Sequence, residues 1–294
     1  MSDISKRKQA HIDLCLDPNS QGEGNLFADI QLPYRALPEL KLNDVSTSTS
    51  LLGKTLNQPL IIASMTGGTK HAETINKNLA IAANECGIAM GVGSQRIGLR
   101  NEEAKATFKL VRTLAPKAVL FANMGAVQLN YEAKIEDYQA VVDMINADGL
   151  YLHINPLQEA IQPEGDTNFA GLLDKIGDLV KKIDVPVFAK EVGHGLDVVT
   201  AQALIDRGVK GIDCAGVGGT SYAWVEAKRA ENPEFQNWFK DFGYRSDTLL
   251  QKYSELHGDC IKILSGGVRT PIEAVKGRMH GADFYSFAQP FLQP

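Results

Sequence analysis

The chain has 294 residues, of which 44% are apolar and 22% charged, with a net charge of −5. That balance suits a globular chain with a sizeable core, and the acidic net charge argues against a general nucleic-acid binder. No apolar run approaches the roughly 18 residues that a membrane span needs. Cys15, Cys86, Cys214 and Cys260 form no CxxC pair, a pattern expected of reduced thiols in the cytoplasm.

Residues 1–58 are expected to form an N-terminal arm of short elements. They lack a clear hydrophobic period and hold Gly22, Pro33, Pro38 and a Ser/Thr run at 46–50. The first 13 residues are polar and basic, without the apolar stretch of a signal peptide. From residue 59 the pattern changes. Short apolar runs recur at 59–65, 88–93, 118–124, 149–154, 185–192, 211–216, 262–267 and 283–288. They are continuous rather than alternating, as in parallel strands buried on both faces.

Amphipathic stretches of helical length separate most of these runs, at 73–86, 102–114, 135–146, 169–183 and 198–207. Eight such steps predict an α/β chain folded as a closed (β/α)8 TIM barrel over 59–294, forming one domain with the arm. An open doubly wound sheet is the alternative. The connection after the sixth run is longer and carries Trp224 and Trp238. It is expected to form a loop or small helices over the barrel mouth.

Barrel chemistry sits at the C-terminal ends of the strands, and polar residues and glycines gather there. The ends supply Ser64, Met65 and Thr66, then Ser94 and Arg96, then Asn123. Further on come Lys190, Thr220, Gly267 with Arg269, and finally Ala288 and Gln289. Any one of these is ordinary: a Gly-Gly pair is usually a tight turn, and Lys190 could be a buried ion-pair partner. Their joint placement is a poor way to build stability alone. Glycines at 266 and 267 let backbone N–H groups approach a phosphate, and Arg269 adds a forked charge. Lys190 would then lie near the ring of a phosphorylated cofactor.

The fourth run ends in HINPLQE at 153–159. His153 and Asn155 share a face of the strand, Pro156 turns the chain, and Gln158 and Glu159 are expected on a loop above the barrel. One carboxylate with substrate oxygens and water suits Mg²⁺, and no His/Cys cluster has zinc spacing. The arm carries Arg7, Lys8 and His11. These read most simply as a solvated tail, or else as a clamp on a diphosphate.

Taken together these motifs resemble the type 2, FMN-dependent isopentenyl-diphosphate delta-isomerases. The resemblance rests on RKQAH at 7–11, SMTGGT at 64–69, GSQR at 93–96, NMGAVQL at 123–129, HINPLQE at 153–159, KEVGHG at 190–195, GVGGTSY at 216–222 and SGGVR at 265–269. It implies FMN held by Ser64, Met65, Thr66, Ser94, Asn123, Lys190, Thr220, Gly267, Arg269, Ala288 and Gln289. It implies a prenyl diphosphate met by Arg7, Lys8, His11, Arg96 and His153, with Asn155 and Gln158 near the reacting carbons and Glu159 on Mg²⁺. His153, Asn155 and Gln158 form the implied catalytic set.

The resemblance further implies reduced FMN as the main acid/base, NADPH as reductant, and a homo-oligomer, tetramer or octamer. In two places the chain departs from the pattern. It ends at Pro294, where the family continues into a further helix, so the last barrel helix is expected to be missing. The stretch 241–246 also differs. Two other readings remain: an FMN-dependent oxidoreductase on the same barrel, such as a 2-hydroxy-acid oxidase, and an inactive homologue that binds flavin or prenyl diphosphate.

Overall fold

The structure, a computed structural model, describes residues 3–22 and 26–292. An antiparallel hairpin of β1 (Thr49–Leu51) and β2 (Lys54–Leu56) precedes the barrel. Its turn holds Leu52 and Gly53 at φ 49° and 78°, the left-handed pair that matches the twist of a two-residue hairpin. Eight parallel strands then close a barrel in chain order: β3 (Leu60–Ile62), β4 (Ala89–Gly91), β5 (Leu120–Gly125), β6 (Gly149–His153), β7 (Val187–Lys190), β8 (Gly211–Asp213), β9 (Ile261–Leu264) and β10 (Phe284–Phe287), which pairs back onto β3. The closed parallel sheet agrees with the sequence pattern.

The helices are α1 (Asp3–Leu16), α2 (Lys70–Cys86), α3 (Glu102–Leu114), α4 (Ile135–Met144), α5 (Pro156–Ile161), α6 (Leu172–Val180), α7 (Val198–Ile205), α8 (Tyr222–Arg229), α9 (Pro233–Phe239), α10 (Ser246–Lys252) and α11 (Pro271–Met279). Local chemistry sets many of their ends. Thr69 caps α2 by accepting from the Ala72 N–H, and Gly87 in the left-handed region stops it. Asn101, Asp197 and Ser221 cap α3, α7 and α8 in the same way. Each such cap is worth about 1 kcal/mol. No helix among the described residues is long and apolar enough to cross a membrane.

The strands read as unbroken apolar runs because both their faces are buried. Leu120, Ala122 and Met124 on β5, and Leu150 and Leu152 on β6, face the helices and join the outer core. Alternate residues Phe121, Tyr151 and Phe188 point inward and pack with Leu51 and Leu56 of the hairpin. The hairpin thus plugs the N-terminal end of the barrel. Phe121 lies 4.6 Å from Tyr151 and 4.9 Å from Phe188 between ring centroids, contacts worth about 1 kcal/mol each beyond burial.

Two residues further along each strand the inward positions become Asn123, His153, Lys190 and Asp213. Register places His153 opposite Lys190, and Lys190 opposite Asp213. The interior therefore changes from an aromatic layer to a polar one at the C-terminal end.

Two expectations are corrected. The arm begins with a 14-residue helix, α1, which the sequence concealed because its apolar residues crowd toward its C-terminal end instead of forming a helical stripe. Ile12 and Cys15 are buried, and Cys15 packs with Trp224 and Val225 of α8. Gln158 and Glu159 lie on α5 rather than on a loop. Pro156 is the first residue of α5, where its missing N–H costs nothing.

Candidate active site

The C-terminal ends of the barrel strands open into a cavity of about 840 Å³, and every residue expected at the site lines it. Ser64, Met65 and Thr66 follow β3, Ser94 and Arg96 follow β4, and Asn123 lies on β5. His153 ends β6, and Asn155, Gln158 and Glu159 follow on α5. Lys190 ends β7, Thr220 follows β8, Gly267 and Arg269 follow β9, and Ala288 and Gln289 follow β10. Helix α1 lies across the mouth and adds Arg7, Lys8 and His11.

One half of the cavity is walled by closely packed glycine loops. The loops 216–219 and 265–267 pack backbone against backbone. A Cβ on Gly219 would come 2.7 Å from the Gly267 N, and one on Gly267, itself at φ 89°, would come 2.4 Å from the Gly218 carbonyl carbon. Only glycine fits such a cradle, which brings bare backbone to the cavity. The Arg269 guanidinium donates to Gly267 O at 3.2 Å, at the rim of that cradle. Ser64 Oγ and Ser286 Oγ, both on the cavity wall, are buried without hydrogen-bond partners among the described residues. A polar ring edge would satisfy such orphaned hydroxyls, so the residues fit the flavin that the motifs imply.

Lys190 stands between these regions. Its Nζ donates to Glu191 O at 3.0 Å and lies 3.7 Å from Asp213 Oδ1. Burial pushes the Asp213 carboxyl above the usual range, while the Lys190 ammonium and the Ser265 hydroxyl pull it back. The next residue holds the loop: Glu191 Oε2 accepts from the backbone N–H groups of Val192, Gly193, His194 and Gly195 at 2.5–3.0 Å.

The other half is cationic and polar. His153 Nδ1 is 2.8 Å from Asn123 Oδ1. An amide oxygen only accepts, so Nδ1 carries the proton and Nε2 keeps its lone pair. Burial, then the Arg96 and Lys190 charges, lower the His153 pKa to about 4, so the ring is neutral near pH 7. Burial, then Arg7 and Arg96, lower Lys8 to about 8. Lys8 Nζ donates to Gly67 O and, at 3.3 Å, to Ser94 O. Arg96 donates to Gln128 Oε1 and, at 3.0 Å, to Asp166 Oδ2.

A continuous network crosses the roof. The Asp166 N–H donates to Glu159 Oε2 at 2.7 Å, and Asn155 Nδ2 donates to Glu159 Oε1 at 3.0 Å and Gln158 Oε1 at 2.9 Å. Gln158 Nε2 donates to Glu226 Oε1 at 3.0 Å. The fully buried Glu226 carboxylate also takes His11 Nε2 at 2.9 Å and Arg229 Nη1. Burial pushes Glu226 up, but the hydrogen bonds from His11 and Gln158 and the His11 and Arg229 charges hold it below the usual range. Burial raises Glu159 despite the hydrogen bonds it accepts.

Among the described residues no group of three or more His, Cys, Asp or Glu side chains could hold a metal by itself. An ion at Glu159 would take its remaining ligands from substrate and water, the habit of Mg²⁺. Burial pushes the thiols of Cys15 and Cys214 up to about 12 and about 11, which makes neither a nucleophile.

Sequence reasoning missed Asp213, Asp166 and Glu226. A lone acid inside an apolar strand could have pointed to Asp213. Nothing local pointed to Glu226, whose partners come from α1 and α5.

No protein-family model matches the chain. Curated relatives do. An isopentenyl-diphosphate delta-isomerase of Nostoc is 45% identical over 292 residues, covering 98% of this chain and 83% of that protein. One of Rickettsia bellii is 45% identical over 297 residues, covering 100% and 86%. One of Oceanobacillus iheyensis is 42% identical over 299 residues, covering 99% and 84%. Solved structures of similar fold include a mandelate oxidase (TM-score 0.61, 14% identity, covering 99% of this chain and 86% of that one) and an inosine 5′-monophosphate dehydrogenase of Legionella pneumophila (0.58, 22%, covering 90% and 69%). At those identities they show the shared barrel alone.

Proposed function

Because the chain belongs to the type 2, FMN-dependent isopentenyl-diphosphate delta-isomerases, we propose that its cavity holds FMN and a prenyl diphosphate side by side and that its residues divide the work as follows. The reaction interconverts isopentenyl and dimethylallyl diphosphate. One proton adds at the terminal methylene carbon, another leaves the chain methylene beside the alkene, and the double bond moves over with no net oxidation. Reduced FMN, when bound, supplies an electron-rich ring that can take up and return a proton beside the alkene.

On the flavin side, Ser64, Met65, Thr66, Ser94, Asn123 and Lys190 meet the ring. Thr220, Gly267 and Arg269 hold the phosphate, with Ala288 and Gln289 completing the pocket. On the substrate side, Arg7, Lys8, His11, Arg96 and His153 meet the diphosphate, and Glu159 carries Mg²⁺. Asn155 and Glu226 grip the two ends of the Gln158 amide and hold it toward the alkene. Gln158 assists proton movement, since a neutral amide is no acid by itself. His153 is neutral and Glu226 is held in its ionised form, so neither is a ready proton donor near pH 7.

Residues 1–294 act as one domain, with the arm 1–58 closing the barrel of 59–294. NADPH reduces the flavin. The free cysteines suit the cytoplasm. Exposed Tyr34, Leu37 and Leu42 in the arm suit a homo-oligomer, a tetramer or octamer.

The observation that carries this reading is the meeting, in one cavity, of a glycine cradle for a flavin phosphate and a cationic wall for a diphosphate. The test is anaerobic incubation with FMN, NADPH, Mg²⁺ and isopentenyl diphosphate in D₂O. The expected result is deuterated dimethylallyl diphosphate, lost when EDTA removes the metal. NADPH consumed in proportion to product would instead mark an oxidoreductase, and bound FMN without exchange would mark an inactive homologue.

A further inference from the structure

Lys190 and Asp213 form an ion pair inside the barrel, with Nζ 3.7 Å from Oδ1, directly opposite each other on adjacent strands. Asp213 is 0% exposed. Ser265 Oγ donates to Asp213 Oδ1, and Oδ2 is buried with no partner among the described residues. On the far side of Lys190, register places the neutral His153. Below lies the aromatic layer, where Tyr151 OH is also buried without a partner.

Such a pair is an expensive way to stabilise a barrel. Two charges lose their hydration, and an apolar pair of similar volume is often as stable. A half-satisfied polar group in a core costs more still. The pair sits at the one level of the barrel where the interior meets the cavity, since Lys190 lines the cavity. Glu191 O fixes one N–H of the ammonium and Asp213 draws it from a second side. An ammonium has three N–H donors, so at least one remains for a group above it.

We propose that Asp213 is a positioning residue for Lys190, holding the ammonium at the ring of bound FMN and offsetting part of its charge there, so that Asp213 sets the reduction potential of the flavin. The inference rests on the placement of FMN over Lys190 proposed above. Reducing a flavin adds negative charge to the ring, and a buried positive charge favours that state while a buried negative charge opposes it. Asp213 thereby holds the potential below the value that an unopposed Lys190 would give.

The test is spectroelectrochemical titration of the holoenzyme, after FMN uptake is confirmed by absorbance. Relative to wild type, Lys190→Gln is expected to shift the potential negative and Asp213→Asn to shift it positive, each with FMN bound. Ser265→Ala keeps the charge and is expected to stay nearer wild type than Asp213→Asn. An unchanged potential in Lys190→Gln would sink the placement of the flavin over Lys190. A negative shift in Lys190→Gln with no shift in Asp213→Asn would sink the role of Asp213 alone. If Asp213→Asn does not fold, Asp213→Ser removes the same charge while Lys190 stays in place. Its potential is also expected to lie above wild type, and an unchanged or lower value overturns the proposal.

Discussion

Gln158 Nε2 donates to Glu226 Oε1 at 3.0 Å, and the same buried carboxylate takes His11 from α1 and Arg229 from its own helix. One carboxylate therefore fixes the amide of α5 and the closed position of the arm together. Glu226→Gln removes the charge at nearly constant volume. We expect kcat to fall about 10²-fold, the lower end for a group aligned with proton transfer, while FMN affinity is retained. Helix α1 should also become easier to cleave by protease, because His11 loses its charged partner. Unchanged kcat with unchanged protection of α1 would overturn this coupling.

The burial of His153 beside Arg96 and Lys190 makes a pH prediction for the free protein. The folded pKa is about 4 against 6.5 for an unperturbed histidine. Between those values the unfolded chain binds more protons than the folded one, so stability rises with pH. The contribution of His153 is fully present above pH 6.5 and is lost progressively as pH falls toward 4. Denaturant titrations of His153→Gln should show a flatter profile across that window. A slope equal to that of wild type would show that His153 is not held neutral.

Lys8 gives a prediction of opposite sense for binding. Its pKa of about 8 means that the free protein loses this charge as pH rises through 8. Affinity for inorganic pyrophosphate, measured by calorimetry, should therefore weaken from pH 7 to 9. Lys8→Met should bind more weakly at pH 7 and lose that part of the pH dependence. An identical profile in wild type and variant would place Lys8 outside the diphosphate site.

Gly267 tests the cradle. At φ 89°, with the Gly218 carbonyl carbon 2.4 Å from a built Cβ, Gly267→Ala combines backbone strain of about 1–3 kcal/mol with overpacking of similar size. The loops must part, and FMN affinity should drop at least about tenfold, since each 1.4 kcal/mol is a factor of ten. Full FMN affinity in a folded variant would move the phosphate elsewhere.

Much of this protein was legible locally. The barrel followed from eight apolar runs, because strands buried on both faces need apolar residues at every position. The cavity wall followed from polar residues and glycines at the ends of those runs, where strand periodicity stops and backbone geometry becomes special. Helix α1 was not legible, since its apolar residues form no helical stripe and gain meaning only against α8. Nor was α5, where Pro156 reads as a stop but serves as a start.

Which residues reach the mouth of the barrel follows from strand alternation and chain order alone, whatever their neighbours are. Their protonation and orientation depend on the folded surroundings. His153 is neutral because burial and two cations lower its pKa. Gln158 is oriented by a carboxylate 68 positions away, and Lys190 is opposed by an acid that register alone sets beside it. Protonation and orientation are set by burial and by partners distant in the chain, and neither is carried by any local pattern of residues.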